Sequence, residues 1–174
     1  MTDILDTIVS RRSVKKYTTE PVAKELIDKV ITAGIHAPTG KNMQSPIILA
    51  ITNKEIIKTL SSMLAEIRNT PNMDPFYGAQ VALVVLAKKD VFTHVYDGSC
   101  VLENMLLEAH SLGLGACWIH HAKIIFETEF GKNLLQSLGI TEEYEGIGTC
   151  ILGHAEIYPQ GPLPKKENYV YYVE

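Results

Sequence analysis

No stretch of ~18 consecutive apolar residues occurs in the sequence, so no segment is suited to cross a membrane as a helix. Positive charge is not in excess either, since 16 Lys+Arg stand against 20 Asp+Glu and give a formal charge of -4. That balance leaves no footprint for nucleic acid or an anionic membrane, while remaining compatible with a local basic cluster for a small anion. Cysteine is scarce. Cys100, Cys117 and Cys150 form no CxxC pair, which fits reduced thiols used in packing and neither a disulfide framework nor a structural zinc site. HExxH, Cys/His zinc spacing and acidic EF-hand loops are absent, so no metal is expected. Met1 to Asp6 carries acid where a signal peptide would carry positive charge, and the expected compartment is the cytoplasm.

What is present suits one globular domain over residues 1–174: 46% hydrophobic and 21% charged residues are enough to bury a core at this length. Asp3 to Arg11 puts Ile4, Leu5, Ile8 and Val9 on one helical stripe behind a cap at Thr2 or Asp3. A second helix turns Leu26, Ile27, Val30 and Ile31 inward and ends near Gly34. Ile47 to Ile51 reads as a strand covered on both faces, Lys54 to Arg68 as a helix with Ile57, Leu60 and Leu64 inward, and Val81 to Leu86 as a second buried strand. Asp97 to Leu112 is predicted as a long helix burying Val101, Met105, Leu106 and Ala109. Gly113 to Ile119 is a turn running into a third strand, Ile124 to Leu138 is helical, and Gly146 to Gly153 is a glycine-rich fourth strand. Without repeats, low-complexity tracts or linkers, the simplest reading is a single α+β domain. The tail is unusual: four of the eight residues from Pro159 to Lys166 are Pro or Gly, and Tyr169, Val170, Tyr171, Tyr172 and Val173 follow. Such a tail packs on its own domain or on a partner, as in an arm exchanged within a dimer.

Three constellations could carry chemistry. Arg11, Arg12, Ser13 and Lys15 supply two guanidiniums, a hydroxyl and an ammonium within five residues, the inventory that grips a phosphate dianion. The same run also reads as a solvated basic turn at a helix C-terminus. Lys165 and Lys166 could complete such a site. Asn42 and Gln44, in the loop Pro38-Thr39-Gly40-Lys41-Asn42-Met43-Gln44, offer amide donors and acceptors to a planar heterocycle, or else serve turn chemistry. Trp118, His120 and His121 stand at the exit of a strand. Adjacent histidines on an extended strand point to opposite faces and make a poor metal site. Gly113-x-Gly115 follows a helix and lacks a third glycine, so no dinucleotide fingerprint is supported, and no nucleophile elbow surrounds any Ser or Cys.

In order, these pieces resemble the nitroreductase family of FMN-dependent oxidoreductases over most of the chain. The resemblance rests on Arg11-Arg12-Ser13-Val14-Lys15-Lys16-Tyr17 after an amphipathic helix, the loop from Ala37 to Pro46, and Ala79 to Val85. It continues through Asp97, Glu103 to Ala109 and Gly113 to Ile119, and closes on Leu152-Gly153-His154 with Pro164-Lys165-Lys166. It implies a nitroreductase-like α+β fold with a central mixed, mainly antiparallel sheet flanked by helices, in a homodimer with FMN at the subunit interface and the C-terminal arm exchanged. It further implies that Arg11, Arg12, Ser13 and Lys15, joined by Lys165 or Lys166, hold the FMN phosphate and ribityl chain. Asn42 and Gln44 would lie near the flavin, and Pro38, Thr39 and Gly40 would approach from the partner. Trp118 and Ile119 would cover one flavin face, and the backbone N–H groups of His120 and His121 would point at its reactive edge. NADH or NADPH would be the donor in a ping-pong cycle, with nitroaromatics, quinones or similar small molecules as acceptors and no catalytic side chain assigned. Dehalogenation, ene reduction or a flavin-binding sensor are the alternatives. The departures are Ser45-Pro46 in place of a Trp, Gln80 in place of a Pro, His120-His121 where relatives have small residues, and a chain short for the family.

Overall fold

The apolar runs of strand length form strands and the helical repeats form helices in the computed structural model, which describes residues 3–161 and 164–174. In chain order the elements are α1 (Ile4–Ser10), α2 (Lys24–Ile35), a 3-10 turn (Gly40–Asn42), β1 (Pro46–Ile51), α3 (Lys54–Ile67), β2 (Val81–Lys88) and α4 (His94–Ser111). β3 (Gly115–Ile119), α5 (Ala122–Glu127), α6 (Glu129–Ser137) and β4 (Tyr144–Gly153) complete them. Thr2, one of the two expected caps, lies outside the described residues, as do Pro162 and Leu163 of the tail. Asp3 caps α1, its carboxylate accepting from Leu5 N.

The strands form one sheet in the order β1-β2-β4-β3. Each neighbouring pair is antiparallel, and the parallel component is confined to a single bridge between Ser13 and Ala116. β2 lies inside the sheet and is apolar from Val81 to Ala87, because both of its faces are covered. On one face α2 and α4 bring Val30, Met105, Leu106 and Ala109 against Leu83, Val85 and Cys150. On the other, α3 and α5 bring Leu60, Leu64, Ile125 and Phe126 against Val84, Leu86 and Ile151. No helix among the described residues is long and apolar enough to cross a membrane.

The stripe Ile4, Leu5, Ile8 and Val9 shares one face of α1 as its spacing predicts; that face is exposed, and Thr7 is the buried residue of the helix. Amphipathic spacing fixes which residues share a face and is silent on what covers it. β1 is an edge strand with Ala50 exposed, so it is not covered on both faces. The helical stretch expected over 124–138 is two helices, broken at Thr128, which turns extended and caps α6 by accepting from Gly131 N. The apolar repeat continues across that break, so periodicity hides it. α4 begins at His94, so Asp97 lies inside its first turn and not at its start.

The basic run after α1 is laid along the edge of β3. Val14 N donates to Ala116 O at 2.9 Å, and the Val14 side chain enters the core. This covers an otherwise open sheet edge and fixes the direction in which the neighbouring cations leave the chain.

Candidate functional site

Arg11, Ser13 and Lys15 alternate along that extended segment and, with Arg12, line a cavity of about 750 Å³ closed by Pro159, Gln160, Gly161 and Lys165. Five of the residues singled out from sequence therefore meet at one place. Lys166 is not among the lining residues, and its ammonium lies 5.3 Å from the Tyr169 ring centre. Arg12 is at the wall with its donors already engaged: Nε donates to Gly161 O at 2.8 Å, and Nη1 donates to Val9 O at 2.8 Å and to Arg11 O at 2.6 Å.

Beneath this segment lies the Cys117 thiol. Burial pushes it up from the ordinary thiol value, while the Ser13 hydroxyl and the charges of Lys15, Arg11 and Arg68 pull the other way. Arg68, at the C-terminal end of α3, also acts on His121. It is not among the residues lining the basic cavity, and nothing in its local sequence marks it.

β3 ends at Ile119, and His121 takes a left-handed backbone with φ 79°. The expectation that the two imidazoles point to opposite faces is thereby overturned. The turn brings their ring centres within 4.8 Å, edge to face. The His121 Nδ1 is buried with no hydrogen-bond partner. Its imidazole is held below the usual histidine value first by burial, then by His120 and Arg68. Trp118 and Ile119 go to opposite sides of β3, as successive strand residues must. Ile119 is core, and Trp118 is half exposed.

The amide-bearing loop lies on a second cavity of about 500 Å³, lined by Pro38, Thr39, Asn42 and Gln44 beside Ile48 and Val101. One chain does not bring it together with the basic cavity. Lys41, Asn42 and Gln44 all have positive φ, a costly conformation for such residues unless their surroundings hold it. Asp97 supplies the hold. Buried in α4, its carboxylate accepts from Gly40 N at 3.0 Å, from Thr93 Oγ1 at 3.0 Å and from Ser45 Oγ at 3.4 Å. Gln44 N donates to Thr39 Oγ1 at 3.1 Å, and Gln44 Nε2 donates to Asn42 Oδ1 at 3.2 Å. The sequence marks Asp97 only as the start of a helix; its burial and its contact with the Gly40 loop belong to the fold.

Compared with known proteins, residues 8–154 match the model of the nitroreductase family. The chain belongs to that family. A relative from Archaeoglobus fulgidus, named "Putative NADH dehydrogenase/NAD(P)H nitroreductase", is 29% identical over 88% of this chain and 86% of its own length. One of the same name from Methanothermobacter thermautotrophicus is 33% identical over 67% of this chain and 60% of its own length. The crystal structure of a nitroreductase with bound FMN from Bacteroides fragilis superposes with a TM-score of 0.89 at 24% identity, over 100% of both chains. The nitroreductase-like fold is thus established.

Within this family member, Gly148 on β4 underlies the indole of Trp118: a Cβ there would meet Trp118 Nε1 and the Leu102 side chain. Gly148→Ala is expected to displace the indole at a cost of about 1 kcal/mol, the low end for overpacking against a movable side chain. Trp118 is the only tryptophan, so a shift of its emission maximum reads this directly. An unchanged spectrum would show that the indole does not rest on Gly148.

Proposed function

We propose that this chain is an FMN-dependent oxidoreductase that draws electrons from NADH or NADPH and delivers them to nitroaromatics, quinones or similar small acceptors, working as a single FMN-binding domain in a homodimer. The observation that carries this is the basic cavity, Arg11, Ser13, Lys15 and Lys165 converging on one space in a member of the nitroreductase family. The names of the A. fulgidus and Methanothermobacter relatives, the FMN reductase [NAD(P)H] of Bacillus subtilis, and the FMN in the B. fragilis structure point the same way.

The residues fit the group. A phosphate monoester needs charge-assisted donors in a fork and a dispersed positive field, which Arg11, Lys15 and Lys165 offer around the Ser13 hydroxyl. The cavity lies within the usual size range of small-molecule sites. The FMN, when bound, supplies two-electron chemistry alternately with donor and acceptor in a ping-pong cycle. Arg11 and Lys15 bind and orient it, Arg68 places positive charge near His121 and stabilises developing negative charge there, and Trp118 offers a half-exposed aromatic surface beside the open edge. Arg12 acts on the wall and not on the ligand.

The second subunit completes the site. Ile4, Leu5, Ile8 and Val9 on α1 and Tyr169 to Val173 in the tail are exposed large apolar residues, a combination that marks an interaction surface. The cavity of Thr39, Asn42 and Gln44, separate within one chain, is the part a partner would bring. The arm from His154 to Gly161 stays on its own domain, so any exchange belongs to the residues beyond it. The unpaired thiols suit the cytoplasm.

The test is the consumption of NADH and of NADPH by the FMN-loaded protein, with and without a nitroaromatic or a quinone. Acceptor-dependent oxidation of either nucleotide is expected. Bound FMN with no oxidation of either would leave a flavin carrier.

A further inference from the structure

His110 lies outside every motif of the sequence, yet α1, α4 and the C-terminal arm meet on its imidazole. From α1, Ser10 Oγ is 2.7 Å from His110 Nε2. From the arm, the Tyr158 hydroxyl meets His110 Nδ1, with the two rings stacked at 5.6 Å and 29°. The protons can be assigned. The Ser10 hydroxyl already donates to Asp6 O at 2.5 Å, so His110 Nε2–H donates to Ser10 Oγ. Nδ1 is then the acceptor and Tyr158 O–H the donor. That tautomer requires a neutral ring, and burial, with Arg11 and Arg12 nearby, lowers the affinity of His110 for a second proton.

The arm held in this way forms part of the basic cavity. Upstream it is fixed by Thr18 N donating to His154 O at 2.8 Å, Glu156 N donating to Lys16 O at 3.0 Å, and the Lys16–Glu156 ion pair at 2.7 Å. Downstream, Tyr158 on His110 and Gly161 on Arg12 are the anchors, and Pro159, Gln160 and Gly161 between them line the cavity. Lys165, four residues past Gly161, lies on the same cavity. Four residues reach at most about 14 Å, so the position of its ammonium depends on where the arm is pinned.

We propose that His110 is a positioning residue for the phosphate end of the ligand: through Tyr158 it locks the arm that walls the basic cavity and delivers Lys165 to it. The inference rests on the reading of that cavity as the FMN phosphate site.

The two ring nitrogens can be separated by substitution. His110→Asn leaves an amide near the place of Nδ1 and keeps a partner for Tyr158. His110→Gln leaves one near Nε2 and keeps only Ser10. Fluorescence titration of the flavin-free full-length protein would measure the affinity for FMN and for riboflavin, which lacks the phosphate, in these variants, Tyr158→Phe and Arg11→Ala. Loss of one hydrogen bond predicts that His110→Gln and Tyr158→Phe weaken FMN about three- to tenfold, with riboflavin unchanged and His110→Asn within about twofold of the parent protein. FMN affinity unaltered in His110→Gln and Tyr158→Phe, while Arg11→Ala binds weakly, would overturn the role of His110. So would equal losses in His110→Asn and His110→Gln, or equal losses for FMN and riboflavin. FMN affinity unaltered in Arg11→Ala would overturn the reading of the cavity itself.

Discussion

Replacing Arg11 with alanine is expected to weaken FMN binding by about 1.5–3 kcal/mol, roughly 10- to 150-fold in Kd, the range for a hydrogen bond to a charged group. Arg11 lines the basic cavity, and its charge reaches both the Cys117 thiol and the His110 ring. It therefore contributes field as well as donors. Lysine at this position is expected to recover only part of the affinity, because an ammonium cannot grip two phosphate oxygens in one plane. Arg12 provides the contrast. Its guanidinium is engaged by Val9, Arg11 and Gly161 carbonyls, so its removal should loosen the wall without removing a direct partner of the phosphate. Flavin titration at low and high salt separates the two: the Arg11→Ala loss shrinks as salt screens the site, and a loss as large in Arg12→Ala as in Arg11→Ala would reverse the assignment.

Asp97→Ala is expected to cost about 1.5–3 kcal/mol of stability, since it removes a buried charged acceptor and leaves three donors without a partner. Those donors are Gly40 N–H and the hydroxyls of Thr93 and Ser45. The more telling effect is on the loop. With Lys41, Asn42 and Gln44 at positive φ, the bonds from Gln44 to Thr39 and Asn42 hold the loop only to itself, and releasing Gly40 removes its tie to α4. In a dimer whose second subunit carries this loop to the ligand, flavin affinity falls along with the denaturation midpoint. Asp97→Asn keeps an oxygen for Gly40 N–H and should restore most of the loop while remaining somewhat destabilised. A lower midpoint with unaltered flavin affinity in Asp97→Ala would separate the loop from the site.

Much of the fold could be read because its signals are local. Ile57, Leu60 and Leu64 on α3, Val101, Met105, Leu106 and Ala109 on α4, and the apolar run of β2 all face inward as their spacing predicts. What failed was information that spacing does not hold. The stripe on α1 has the pattern of a core face and is exposed, because spacing fixes which residues share a face and does not say what covers it. The break at Thr128 depends on a side-chain cap in the middle of a continuous repeat.

The candidate site divides in the same way. Arg11, Ser13 and Lys15 are close in sequence and stay close in space, and Lys165 joins them because the arm returns past residues 16–18 and His110 to Arg12. Arg68 could not be found from sequence, since its approach to Cys117 and His121 depends on the length and direction of α3. The geometry of His120 and His121 was misread because a single left-handed residue turns a strand exit into a corner, and no glycine or asparagine announces it. Asp97 was visible as a residue and hidden as a function, for two of its three partners, Gly40 and Ser45, lie more than fifty residues back in the chain.

The most direct measurement is the visible absorption spectrum of the purified protein, followed by heat release of the chromophore, chromatography against FMN and FAD, and a repeat after adding excess FMN. The account predicts a yellow protein that releases, or takes up, one FMN per chain. A colourless protein that does not take up added FMN would contradict it, and the basic cavity would then have to be explained without a flavin.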